Sequence, residues 1–299
     1  MALSILSNPA ASSAAFSLNK NSAKLQQSLN RLSSGKKITT PADDAGGLAV
    51  SMKLSSAITR NRSVISNIQN ALSFAEVQDG ALTSAATIVN RMAELKSMSM
   101  DVLKSSSDKA NYNVEFQALQ TQLHSIASEA FNGVTLFSSE STKTFGTHAV
   151  NVTIFTSDLG ANGSTVSLGK ALLVSAVTFT SGTSTAAAAA GATGSKSLAV
   201  ASGGSKVSVG ELGVSFFTKA LENIATLRAT NAAGMARLQL AEDHARLTMA
   251  NLEAANSRIM DVDVAEESTR FAKYNILTQA SAAMLSQANQ ASSTALLLL

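Results

Sequence analysis

The sequence predicts a mainly α fold: a long antiparallel, coiled-coil-like helical bundle formed by the N- and C-terminal halves, with a small β-hairpin region in the middle. Three observations carry that expectation. Only Pro9 and Pro41 interrupt 299 residues, leaving long stretches free to be helical. Apolar residues recur at sevens in both halves. Between them, residues 133–211 turn rich in Gly, Ser and Thr with short strand-like runs. Aromatics are 4% of a chain that is 45% hydrophobic, so small aliphatics fill the core, which suits close helices better than an aromatic-walled ligand pocket.

Taken in order, Leu18, Leu25 and Leu32 fall at sevens with Leu29 between them, giving a first amphipathic helix. Asp43-Asp44 after Pro41 reads as the start of the next. In that second helix Ile58, Ile65 and Leu72 repeat every seven residues. Ile68, Ala75, Leu82 and Val89 do the same three positions on, an a/d seam of about four heptads. The middle offers Val150–Ile154, the turn Gly160–Gly163 and Thr165–Leu168 as a β-hairpin. Ser181–Lys206, with the Ala186–Ala190 run and Gly203-Gly204, reads as a low-complexity connector. The return half repeats the seam with Leu238, Ala245, Leu252 and Ile259, flanked by Met235 and Met249. Asn231 falls in the register of Ile224 and Leu238, and a polar group there fixes helix register as a buried Asn does in coiled coils. At the far end Ile276, Leu277, Ala280, Met284, Leu285 and Ala288 form an apolar face. From Gln279 to Leu299 no side chain is charged. A solvated helix carries charge on its outer face, so these ends are expected to be either disordered when alone or buried in a larger assembly, with assembly the favoured reading.

Other chemistries find little support. The pI of 9.2 comes with scattered Lys and Arg, Lys36-Lys37 being the densest pair, so nucleic acid is not expected as a partner. No apolar run reaches the roughly 18 residues of a membrane span, and the N-terminus lacks the basic start of a secretory signal. No cysteine is present. His124, His148 and His244 have no metal-ligand spacing. Asp261, Asp263, Glu266 and Glu267 lack the pattern of a calcium loop and read as a helix break with carboxylates at the next helix start. Neither cofactor nor catalytic site is expected.

Two long motifs then carry a resemblance. Leu32-Ser33-Ser34-Gly35-Lys36-Lys37-Ile38 followed by Asp43-Asp44-Ala45-Gly46-Gly47-Leu48-Ala49-Val50 closely resembles the N-terminal signature of bacterial flagellins. Asn251-Leu252-Glu253-Ala254-Ala255-Asn256-Ser257-Arg258-Ile259-Met260-Asp261-Val262-Asp263 is similar to the C-terminal one. Asp79-Gly80-Ala81-Leu82 and Phe131-Asn132-Gly133-Val134 are smaller matches in the same order.

The resemblance implies a subunit that self-polymerises into the flagellar filament for motility. It implies export through the flagellar type III apparatus without a cleaved signal, and an extracellular location. It assigns 1–42 and 262–299 to terminal polymerisation helices of an inner tube. It assigns 43–180 and 207–261 to a rod domain with a β-hairpin, and 181–206 to a surface connector. Leu18, Leu25, Leu29, Leu32, Ile276, Leu277, Ala280, Met284, Leu285 and Ala288 become the polymerisation interface. Implied partners are further copies of the chain, an export chaperone, the filament cap and hook-junction proteins. Arg91, Glu94 and Leu95 resemble the segment through which many flagellins are recognised by toll-like receptor 5. The Ser/Thr-rich middle is a place for glycans, as in some flagellins. A hook–filament junction protein is the rival reading, and a secreted enzyme on this scaffold a more distant one.

Overall fold

The computed structural model describes residues 8–138, 151–180 and 195–297. The mainly α expectation holds. The helices are α1 (Pro9–Ser34), α2 (Ala45–Ser99), α3 (Ser106–Ala127), the short α4 (Leu173–Ala176), α5 (Val214–Met260) and α6 (Val264–Leu297). Among the described residues three antiparallel strand pairs punctuate them: β1 (Ala130–Phe131) with β2 (Val134–Thr135), β3 (Asn151–Phe155) with β4 (Thr165–Gly169), and β5 (Thr178–Thr180) with β6 (Ser195–Ser197). The chain divides into two compact units, residues 1–59 with 249–299, and residues 60–248. The division falls inside α2 and α5, not at the helix breaks where the sequence suggested a boundary.

The 60–248 unit holds the larger core. Polar links fix its helix directions: the Arg228 guanidinium donates to both Asp79 carboxylate oxygens at 2.9 and 3.0 Å, and Gln69 Nε2 donates to Glu242 at 3.0 Å, so α5 runs antiparallel to α2. The Asp79 carboxyl is held below the usual range, chiefly by its bonds from Arg228. The heptad positions Ile65, Ile68, Leu82 and Val89 are buried, as are Leu238 and Ala245, while Leu72 is half-buried. From about residue 74 a second stripe of α2, Phe74, Ala81, Ala85, Met92 and Leu95, is buried as well. That stripe is covered because α3 and the strands pack there, which the heptad count alone does not reveal. α3 begins with a reciprocal capping box between Ser105 and Asp108. Four phenylalanines, Phe116, Phe179, Phe216 and Phe217, meet edge-to-face, with the Phe179–Phe216 centroids 4.5 Å apart.

The strands keep the expected alternation. In β4, Val166 and Leu168 point inward while Thr165 and Ser167 are exposed, and they face Ile154 and Val152 of β3. The connection between β3 and β4 is longer than a tight turn: Thr156 N–H donates to Ser164 C=O at 3.0 Å across it, and Gly160–Asn162 forms a 3-10 turn. β1 and β2 close on Asn132 and Gly133, both at positive φ, 49° and 78°, the conformation that a two-residue hairpin requires and that Asn-Gly adopts readily. The connector reading of 181–206 needs correction. Residues 181–194 lie outside the described residues, but Ser195–Ser197 is a strand, and Leu198 and Ala199 are buried. Distant pairing with β5 orders a segment whose local composition suggested none.

Candidate assembly surface

In the 1–59/249–299 unit, α1 and α6 lie antiparallel. Asn8 Nδ2 donates to Ala288 C=O at 2.9 Å near one end, Asn21 Nδ2 to Ser281 Oγ at 2.9 Å, and Ser28 Oγ to the Glu267 carboxylate near the other. α1 starts at Asn8, whose Oδ1 accepts from Ala11 N–H, with Pro9 in the first helical position. It stops at Gly35, which takes the left-handed conformation at φ 68°.

The inward positions of the pair follow a strict 3–4 spacing. On α1 they are Ala11, Ala14, Leu18, Asn21, Leu25, Ser28 and Leu32. On α6 they are Glu267, Phe271, Tyr274, Thr278, Ser281, Leu285 and Ala288. This is an a/d seam with small and polar members, satisfied within one chain. The ten residues expected at the polymerisation interface therefore separate into two groups. Leu18, Leu25, Leu32, Leu285 and Ala288 are partly buried in the α1–α6 seam. Leu29, Ile276, Leu277, Ala280 and Met284 face outward, Ile276 and Met284 each 66% exposed. Phe16, which the leucine spacing does not pick out, joins them at 70% exposed. α6 thus carries an uncovered apolar stripe beside its seam.

The two helix breaks are bound to each other. Val262 N–H donates to Gly35 C=O at 3.1 Å and Lys37 N–H to Met260 C=O at 2.6 Å, pairing Lys36 with Asp261 across a one-residue β-bridge. Asp43 organises the turn into α2. Its carboxylate accepts from Thr39 N–H at 3.1 Å, Thr39 Oγ1 at 3.0 Å, Thr40 N–H at 3.2 Å and Gln27 Nε2 at 2.6 Å, with Arg31 Nη2 3.4 Å away. Burial alone would raise its pKa, but the bonds from Thr40, Thr39 and Gln27 outweigh that and hold the carboxyl well below the usual range. Asp44 accepts from Gly47 N–H at 2.9 Å, and Asp263 from Ala265 and Glu266 N–H at 2.9 and 3.2 Å. Asp44 and Asp263 thus act as helix caps at the two breaks. Among the described residues no cluster of His, Asp and Glu could hold a metal, and no helix is long and apolar enough to cross a membrane.

Elsewhere the seam residues Ile58, Leu252 and Ile259 also belong to the 1–59/249–299 unit, Ile58 buried and the other two half-buried. Asn231 is 5% exposed and its Nδ2 donates to Ala75 C=O of α2 at 2.8 Å, a link between facing helices that apolar neighbours cannot supply. Asn231→Ala is expected to lower the stability of the 60–248 unit by about 1–2 kcal/mol, read from urea unfolding. An unchanged midpoint would remove the register role. Arg91 is exposed and ion-paired, Nε to Glu115 at 2.8 Å and Nη1 to Glu94 at 3.0 Å. Leu95, grouped with Arg91 and Glu94 from the sequence, is fully buried and packs in the core, so a surface contact is reserved for Arg91 and Glu94.

Paired ends that share a mostly uncharged seam and leave an apolar stripe uncovered define a class of helical chain that presents its termini for packing. Two family descriptions match it, the bacterial flagellin N-terminal helical region over residues 5–142 and the bacterial flagellin C-terminal helical region over residues 214–299. A flagellar filament 33 kDa core protein of Treponema phagedenis is 31% identical over 294 residues, 98% of each chain. A flagellin of Listeria innocua is 32% identical over 274 residues, 91% of each chain. A crystal structure of Bacillus cereus flagellin matches with a TM-score of 0.43 at 21% identity, over 60% of this chain and 88% of that one. The chain belongs to the bacterial flagellin family.

Proposed function

We propose that the chain is a structural, non-catalytic subunit that polymerises into the extracellular flagellar filament and serves swimming motility. The observation that carries this reading is the α1–α6 pair. Its intrachain seam is already filled, yet Phe16, Leu29, Ile276, Leu277 and Met284 remain on its outside, on helices with few charges. An uncovered apolar stripe of this kind marks a surface for association, and identical copies supply a partner for it at every subunit. Membership of the family supports export through the flagellar type III apparatus, and a chaperone, filament cap and hook-junction proteins as partners. Residues 1–42 and 262–299 are the terminal polymerisation helices of an inner tube, and 43–180 with 207–261 make up the rod domain. Negative-stain microscopy of the full chain after seeding, beside a chain lacking residues 1–40 and 280–299, tests this. Filaments from the first alone are expected. Monomers in both would favour the hook–filament junction reading.

Asp43 gives the 1–59/249–299 unit a pH-dependent stability. A carboxyl whose pKa is depressed on folding stabilises above its unfolded value, near 4, and that contribution is lost as pH falls through the folded value. The Asp43→Asn monomer is therefore expected to unfold at a temperature about 5 °C lower than the parent at pH 7. The gap should narrow as pH drops below about 4. Circular dichroism during heating reads both.

We further propose that the exposed face bearing Arg91 and Glu94 is the contact for toll-like receptor 5. Arg91→Ala monomer is expected to signal less strongly in receptor-bearing cells, and an undiminished response removes the assignment.

A further inference from the structure

Val102 and Leu103, in the turn between α2 and α3, are 93% and 92% exposed, more than any other large apolar side chain among the described residues. The turn is not loose. Asp101 Oδ1 accepts from Leu103 N–H at 2.9 Å, the bond of an Asx turn, and Lys104 N–H donates to Asp101 C=O at 3.4 Å. The capping box of Ser105 and Asp108 follows at once. The two side chains are thus held outward as a firm apolar tip, with Met100, 59% exposed, just before them in the chain. The same 60–248 unit carries an open apolar recess of about 240 Å³. Phe74 and Phe131, their rings edge-to-face at 6.3 Å, line it with Val134 and Val152, and exposed Asn67 and Asn132 stand on its rim. Among the described residues no charged side chain lines it.

The chemistry of the two features narrows what covers them. The recess is smaller than the roughly 300–1,000 Å³ of a small-molecule site and has no charge to orient a ligand. An apolar floor with an amide rim is the make-up of a protein contact. The tip has Lys104 three residues from Asp101, not the basic cluster that draws a loop to an anionic lipid surface. Tip and recess of one copy cannot meet, since α2 rises about 38 Å between Phe74 and its end at Ser99. Pairing of two tips would close at two copies and leave both recesses open. A second copy that offers its tip to the recess covers both features in one contact. Such a contact between unlike patches repeats without closing.

We propose that the Met100–Lys104 turn of one copy docks in the recess of a second copy, where Val102 and Leu103 are buried against Phe131, Val134 and Val152. The 60–248 units are then joined head to tail. This rests on the self-association reading above and adds a contact separate from the α1–α6 stripe. Because local hydrogen bonds already set the turn, docking orders little new backbone, and most of the apolar burial is kept as affinity.

The chain has no cysteine, so introduced ones report contacts cleanly. Full-length chains carrying Leu103→Cys with either Val134→Cys or Val152→Cys are seeded, oxidised with copper–phenanthroline in air and run on a denaturing gel. A disulfide needs Cβ atoms about 3.5–4.5 Å apart. A ladder of dimers, trimers and longer species is expected. Leu103→Cys alone, or with Val114→Cys, 70% exposed on α3, is expected to stay monomeric. Dimers from Leu103→Cys alone mean that tips pair with tips and overturn the proposal, as does the lack of a ladder from both double variants. Microscopy of the same samples separates the two readings. Filaments without a ladder remove the head-to-tail contact alone, whereas a ladder without filaments keeps that contact and removes the filament. Leu103→Asp is also expected to raise the critical concentration at least about tenfold, since its carboxylate would be buried without a partner, while Leu103→Met leaves it near the parent value. An unchanged value for Leu103→Asp overturns the proposal too.

Discussion

Replacing Phe216 by Ala is expected to lower the unfolding free energy of the 60–248 unit by about 3–5 kcal/mol. Phe216 has no exposed surface and its ring meets two others edge-on, Phe179 at 4.5 Å and Phe217 at 6.1 Å. Phe217 in turn touches Phe116 on α3 at 6.1 Å. The truncation removes the apolar burial of one ring and leaves a void at the point where α5, α3 and strand β5 meet, and the edge-to-face contacts are lost with it. Phe216→Leu, which keeps most of the volume, is expected to cost less than half as much. Urea unfolding of the monomer followed by circular dichroism reads both changes. A loss below about 1 kcal/mol for the alanine variant would mean that the neighbouring helices collapse into the space.

The second large effect concerns association instead of folding. Ile276→Asp with Met284→Asp is expected to leave the helix content and unfolding midpoint of the monomer within experimental error, because both side chains are 66% exposed and stand outside the α1–α6 seam. Polymerisation is expected to fail, with the critical concentration raised at least about 100-fold, since each carboxylate would have to be buried without a partner. Sedimentation after seeding measures it. Leu285→Asp should behave differently: Leu285 lies in the seam, so the α1–α6 pair itself should loosen. Normal filaments from the double variant would place the subunit interface elsewhere on the molecule.

Much of this was legible in the sequence, for reasons that can be named. The heptads of Leu18, Leu25 and Leu32 and of Ile58 and Ile65 are local signals, because a helix puts residues seven apart on one face whatever surrounds it. The return partner of each seam follows from the matching apolar repeat in the other half of the chain. What the spacing could not do was separate two adjacent stripes on α6. Ile276, Leu277, Met284 and Leu285 fall on one broad apolar face, and only the position of α1 decides that Leu285 turns inward while Ile276 and Met284 do not. Leu95 was misplaced for the same reason: one turn from exposed Arg91, it is buried by elements far away in the chain. β6 was invisible because Ser195–Ser197 has no strand character of its own and is ordered by β5. Gln78 and Gln120 carried no signal at all. Their worth lies in reaching Leu136 C=O and Val207 N–H, partners that the chain brings near only when folded.

The bridge between the two helix breaks has a consequence for how such a chain can change over evolutionary time. Gly35 and Lys37 are tied to Val262 and Met260 through their own backbones, so only a substitution that removes a donor N–H, such as Lys37→Pro or Val262→Pro, breaks the match directly. Beyond that tie, α1 and α6 run back alongside each other with Asn21 opposite Ser281 and Asn8 opposite Ala288. The segments before Gly35 and after Val262 are in effect the two sides of a zip with a fixed first tooth. Adding one residue to α1 turns every later seam position by about 100° and lifts it about 1.5 Å out of step with its opposite number. Adding seven restores the facing. Insertions and deletions in the two termini should therefore be tolerated in whole heptads, and lengthening one end without the other leaves a single overhanging helix. The loops between strands, such as Thr156–Ser164, carry no seam, and it is there that length can vary one residue at a time.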